Sequence, residues 1–101
     1  DLARATRGLS PGLPKILLCH NPSYFEEAAG QVALQLSGHT HGGQVNPLFR
    51  PADYVLPRGW VRGRYDLQGS VLYVNRGFGT VGPPARLLSP PEVTRIVLVR
   101  A

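Results

Sequence analysis

Apolar positions in this chain fall in short clusters set between prolines and glycines, and their spacing changes along the sequence. Lys15 to Cys19 and Val32 to Leu36 are near-continuous apolar runs. Runs this short, bounded by turn residues, predict buried strands. Between them Pro22 opens a short helix over Ser23 to Ala29. A proline in the first turn loses no hydrogen bond, Glu26 and Glu27 sit near the favourable N-terminal end, and Gly30 closes the helix. Arg64 to Leu67 and Ser70 to Asn75, joined by Gln68-Gly69, have the pattern of a β-hairpin. Glu92 to Val99 alternates well enough to predict a final strand. Residues 1–14 read as a linker or a loop after an upstream helix. Gly42 to Gly63, which holds Pro47, Pro51 and Pro57, reads as a long functional loop with room for a short helix. Gly77 to Thr80 is a glycine-rich loop, and Pro83 to Pro91 a proline-broken connection. The order β-α-β-loop-β-β-loop-β is a mixed α/β pattern. Trp60, Tyr65, Tyr73 and Phe78 are the aromatic residues expected in its core.

Composition narrows this picture. A hydrophobic fraction of 43% over 101 residues supports a packed core rather than a disordered tail. The chain has no methionine and opens on Asp1, so it is expected to be a portion of a longer protein. No apolar run approaches the roughly 20 residues of a membrane-spanning helix, and no signal peptide is visible. The single Cys19 excludes an intrachain disulfide, and its apolar strand predicts a buried, inert thiol. The net charge is +5, carried by ten arginines and one lysine. Arginine suits bidentate contact with phosphate or carboxylate. The cations are scattered from Arg4 to Arg100 without a basic run or a nucleic-acid-binding motif, which argues against nucleic acid as partner.

The candidate chemistry lies in Ser37-Gly38-His39-Thr40-His41-Gly42-Gly43-Gln44. Two histidines two apart, leaving a strand into a glycine-rich loop, can converge on one point. Neutral imidazole is the commonest metal ligand among side chains. The third and last histidine, His20, also follows a predicted strand. His20, His39 and His41 are therefore the candidate metal ligands. No Asp or Glu lies between Glu27 and Asp53, so the set is all-nitrogen and neutral. Alone it suits a mononuclear three-histidine site. A dinuclear site needs carboxylates from elsewhere.

Together, the His20-Asn21-Pro22 turn, the Gly38-His39-Thr40-His41 element and the hairpin from Gly63-Arg64-Tyr65 to Tyr73-Val74-Asn75-Arg76-Gly77 resemble the C-terminal half of calcineurin-like metallophosphoesterases. The form of Ser37 to Gln44 and of Tyr73 to Gly79 is most similar to the bacterial membrane-associated branch typified by YkuE and YaeI. The resemblance runs from about Leu13 to Arg100. It implies that residues 1–101 are the C-terminal portion of one such domain, half of a four-layer α/β/β/α sandwich with mixed strands, one short helix and a late hairpin. It implies two divalent metal ions (manganese, iron or zinc), with His20 and His39 on the second ion and His41 on the first. It implies phosphoester hydrolysis of the phosphodiesterase or pyrophosphatase type, in which a hydroxide bridging the metals attacks phosphorus. The D-x-H, G-D-x-x-D and G-N-H-D/E blocks that complete such sites are missing here. This chain is therefore expected to be inactive alone, with no catalytic residue beyond the metal ligands and the absent N-terminal half as its first partner. Asn21, Gln44, Asn46, Arg64 and Arg76 are the candidate contacts to a phosphorylated, in one version lipid-linked, substrate. The resemblance favours the cell envelope or a membrane-associated location through the absent segment, with the cytoplasm as the alternative.

Two other readings compete. One is a non-catalytic basic α/β module for anions or nucleic acid, with incidental histidines. The other is the mononuclear three-histidine metal protein. Cupin-type metal proteins also carry H-x-H, but they place a glutamate where this chain has Val45 and Asn46.

Overall fold

The computed structural model describes residues 1–46, 52, 54 and 56–100. Four strands form one mixed sheet: β1 (Ile16–Leu18), β2 (Leu34–Ser37), β3 (Gly63–Leu67) and β4 (Ser70–Val74), in the order β1-β2-β4-β3. β1, β2 and β4 run parallel, and β3 returns antiparallel to β4. The β1–β2 crossover is a turn of 3-10 helix over Pro22–Tyr24 followed by helix α2 (Phe25–Ala28). Parallel neighbours need such a crossover because a tight turn cannot reverse the chain twice. The hairpin turn works because Gln68 and Gly69 both take positive φ, 52° and 77°, which matches the twist of the flanking strands.

Alternation decides which side each strand buries. Leu17, Gln35, Leu72 and Tyr65 lie in register on one face, and the fully buried Phe25 and Leu72 centre the core there. Trp60 packs edge-on against Phe25 at 5.4 Å between ring centroids and closes one end of that core. The helix expected over Ser23 to Ala29 is present, split into a 3-10 turn and α2. Asn21 caps it, its side chain accepting from the Ser23 amide at 2.9 Å.

The opposite face carries Ile16, Leu18, Leu34, Leu36, Val71 and Tyr73. It has no complete covering layer among the described residues: Leu18 is 77% exposed and Ile16 45%. Sheets built from parallel strands are ordinarily covered on both faces.

Several expectations need correction. Residues 90–100 form no strand, and Val93 and Val99 stand 85% and 84% exposed. An apolar alternation becomes a strand only where a neighbour offers backbone partners, and the described residues offer this segment none beyond its first positions. It is held there by side chains: Tyr73 and Thr94 hydroxyls donate to Glu92, and the Arg76 guanidinium donates to the same carboxylate at 2.7 Å. Residues 1–14 are not wholly loop, since helix α1 (Leu2–Ala5) starts at Asp1, whose carboxylate accepts from the Arg4 amide. Phe78 is 75% exposed rather than in the core, and Cys19 is half-buried rather than sealed. Of the loop Gly42 to Gly63, residues 47–51, 53 and 55 lie outside the described set. The rest includes 3-10 turns at its start (His41–Gly43) and at Pro57–Gly59.

Burial works against ionisation of Glu92. The hydrogen bonds from Thr94, Tyr73 and Arg76 outweigh it and hold the carboxyl at about 2. A depressed folded pKa stabilises the fold above the unfolded value, and that stability is lost as pH falls from about 4.5 toward 2. Glu92→Gln should therefore lower the denaturation midpoint at pH 7, by on the order of 1 kcal/mol after solvent screening. It should also flatten the loss of stability between pH 4.5 and 2. Chemical unfolding at a series of pH values reads both effects, and identical curves for the two proteins would contradict them.

Candidate metal centre

Three parallel strands in register end on the same edge of the sheet, so the segments that leave them emerge together. His20 follows β1, Gly38 to His41 follow β2, and Asn75 to Gly77 follow β4. Backbone bonds extend the ladder past the strands. Gly38 donates to the His20 carbonyl at 3.1 Å and Asn75 to the Ser37 carbonyl at 2.8 Å. Open α/β sheets bind ligands at this carboxyl edge.

The rings of His20 and His39 meet edge to face, 5.1 Å between centroids, and both residues are exposed. His41 points elsewhere, its Nδ1 lying 3.4 Å from the Gly79 carbonyl. All three histidines line one cavity of about 610 Å³, whose further described lining includes Thr40, Gln44, Ala52, Leu56 and Val81. Among the described residues no group of three His, Cys, Asp or Glu side chains is arranged to hold an ion by itself. The geometry thus speaks against a self-sufficient three-histidine site.

The backbone here is under strain. His39 and His41 adopt φ of 70° and 51°, flanking Thr40 at −76°. Residues other than glycine adopt this left-handed conformation uncommonly, histidine more often than most, at a cost of roughly 1–2 kcal/mol each. Such strain persists only where the surroundings over-determine it, and it clusters at functional sites. The surroundings are evident. The Thr40 hydroxyl donates to the Val61 carbonyl, and the Gly42 carbonyl accepts from Asn46 Nδ2 and from Arg62 Nη1, both at 3.0 Å. Gly42 is irreplaceable on two counts: its φ is +62°, and a Cβ there would lie 2.5 Å from Ser89 Oγ and 2.6 Å from Arg76 Cγ.

The proposed substrate contacts fare unevenly. Gln44 lines the cavity, but its amide donates to the Val81 carbonyl at 2.8 Å and accepts from the Val81 amide. Asn46 is buried behind the loop and binds Gly42. Asn21 is the helix cap already described. Arg64 is exposed and paired with Asp66 at 2.8 Å, and Arg76 is paired with Glu92. The Asp66 carboxyl is lowered chiefly by its hydrogen bond from Arg64. Sequence patterns gave no warning of Arg62, Ser89 or Arg86, which fasten the histidine loop through its carbonyls. Glu92 left one signal, as the only acid after Asp66.

The chain is 41% identical over 93 residues to the uncharacterized metallophosphoesterase YkuE of Bacillus subtilis, covering 89% of this chain and 32% of that protein. It is 40% identical to an uncharacterized metallophosphoesterase of Campylobacter jejuni, over 92% of this chain and 25% of that protein. It is 39% identical to the bovine transmembrane protein with metallophosphoesterase domain, over 100% of this chain and 23% of that protein. No family model matches, and no solved structure does. The chain spans about a quarter to a third of the length of these relatives. Similarity across nearly the whole chain, to bacterial and animal proteins alike, makes it a homologue of the calcineurin-like metallophosphoesterases.

Strain at the histidines has a measurable consequence. In metal-free protein, His39→Gly should be more stable than His39→Ala by about 1 kcal/mol, because glycine alone takes positive φ freely. Gly42→Ala should cost more, about 2–4 kcal/mol, from strain and overlap together. Urea unfolding of the three variants ranks them, and equal stability of the first two would show that the loop is relaxed in solution.

Proposed function

We propose that this chain is the C-terminal portion of a phosphoester hydrolase domain of the two-metal type, folded as an α/β/β/α sandwich. Its part is to supply the nitrogen donors. The observation that carries this reading is the set of three histidines at the carboxyl edge of parallel strands, lining one cavity, two of them held in strained backbone. The donor chemistry fits part of such a centre. His20 and His39 face each other closely enough to share one ion, and His41 stands apart as expected for a ligand of a second. No acidic residue is among the described residues lining the cavity, so the carboxylates that two dications need would come from the rest of the protein. The open apolar face of the sheet supports a second sheet as its cover. Divalent ions, when bound, supply Lewis acidity and a hydroxide nucleophile at neutral pH. This chain's residues position the imidazoles, and Ala52, Leu56 and Val81 give one side of the cavity an apolar lining beside them.

The substrate class we favour is a phosphodiester or lipid-linked pyrophosphate of the cell envelope, which suits the same apolar wall. Two animal relatives bear the name transmembrane protein, and this supports a membrane-associated setting. Among the described residues no helix is long and apolar enough to cross a membrane. The competing polyanion-binding module has less support. Arg58, Arg64 and Arg76 are each paired with a carboxylate, and Arg86 is bound to carbonyls.

In the full-length natural protein, manganese-dependent hydrolysis of bis-p-nitrophenyl phosphate should be abolished by chelator. It should fall by several orders of magnitude in His39→Ala. A basic binding module would instead keep a salt-dependent affinity for polyanions, untouched by that substitution. Turnover unaffected by His39→Ala would end the hydrolase reading.

A further inference from the structure

Arg86 is half-buried, and among the described residues its guanidinium has no carboxylate as a hydrogen-bond partner. It is surrounded by main-chain carbonyls instead. Nε and Nη2 both donate to Gly79; Nη2 also donates to Arg76 at 2.9 Å and to Gly77 at 3.0 Å. Nη1 donates to Ser89 at 3.0 Å and to His41 at 3.3 Å. Five carbonyls from three separate stretches thus converge on one planar fork. Ser89 Oγ adds a second side-chain donor to the His41 carbonyl, at 2.8 Å.

Two of those carbonyls bear on His41. One is its own, which fixes the backbone of a residue held at positive φ. The other is that of Gly79, which faces His41 Nδ1. A carbonyl can only accept, so a hydrogen bond to it requires the tautomer with hydrogen on Nδ1, in which Nε2 carries the free lone pair. A partner on the second ring nitrogen orients a metal-binding histidine and raises its basicity.

We propose that Arg86 is a positioning residue for His41: it fixes the carbonyl that sets the tautomer and direction of that imidazole. The inference rests on the reading of His41 as a metal ligand. Arginine suits the task because it has five donors in a rigid plane, whereas lysine has three on one atom. A lysine at this position cannot span His41, Ser89 and Gly79 together.

The test uses the full-length natural protein, with manganese as the probe. Arg86→Lys should still unfold cooperatively in chelator, at a lower melting temperature, and should weaken manganese binding to the folded protein by about 10- to 100-fold. Equal affinity in Arg86→Lys and the unmodified protein overturns the inference and leaves the ligand reading standing. Undiminished affinity in His41→Ala overturns the ligand reading, and the inference with it. If Arg86→Lys does not fold, nitrogen NMR of the unmodified metal-free protein decides the matter. A clamped guanidinium gives resolved, slowly exchanging Nη protons and a His41 ring protonated at Nδ1. A freely rotating guanidinium, or a ring protonated at Nε2, overturns it.

Discussion

Parallel register is the constraint on which the rest of this structure depends. β1, β2 and β4 point the same way and pair without slippage, from Ile16 opposite Leu34 to Ser37 opposite Val74. Their carboxyl ends are therefore level. Three stretches distant in sequence, His20, Gly38 to His41 and Asn75 to Gly77, leave the sheet side by side. A slip of one residue would turn Leu72 out of the core. A slip of one residue between β1 and β2 would likewise shift His20 against His39. Core packing and site assembly are in this sense one requirement.

A second requirement acts on the loop itself. Left-handed backbone at His39 and His41 opposes the intrinsic preference of L-residues, so neighbouring groups must hold it in place. They do so almost entirely through backbone carbonyls: Thr40 grips Val61, Asn46 and Arg62 grip Gly42, and Ser89 and Arg86 grip His41. Side chains that a chemist would first assign to substrate are thus used on the protein's own main chain. Gln44 and Asn46 are the clearest cases, since their amides satisfy loop groups and not an external ligand.

The sequence was legible where local pattern and tertiary need coincide. The hairpin at Gln68-Gly69, the crossover helix capped at Asn21 and the two short apolar strands all follow from turn chemistry and periodicity. So does the placement of all three histidines after strand ends. It was illegible where a long-range partner decides the outcome. Val93 to Val99 has the alternation of a strand, but alternation supplies side chains and not the neighbouring backbone that a ladder needs. Phe78 is large and aromatic, yet the glycines on either side carry it out into solvent. Arg86 looked like any scattered cation, because five carbonyls from distant stretches leave no mark on the local sequence. Kinship with metallophosphoesterases was legible from motif combination alone, since Gly38-His39-Thr40-His41 and Asn75-Arg76-Gly77 sit at a separation that composition would not produce.

The half-bare sheet has a thermodynamic corollary. Tyr73 stands on the open face, while its hydroxyl shares Glu92 with Arg76, and Arg76 packs beside Gly42 directly after His41. A layer laid over that face therefore presses on a network that reaches the histidine loop within three residues. In the domain proposed above, ion affinity and interlayer affinity would be reciprocally linked: whatever factor the covering layer adds to ion affinity, the ion adds to interlayer affinity. The carboxylate of Glu92 is the point at which the open face, through Tyr73, and the surroundings of the histidine loop, through Arg76, meet.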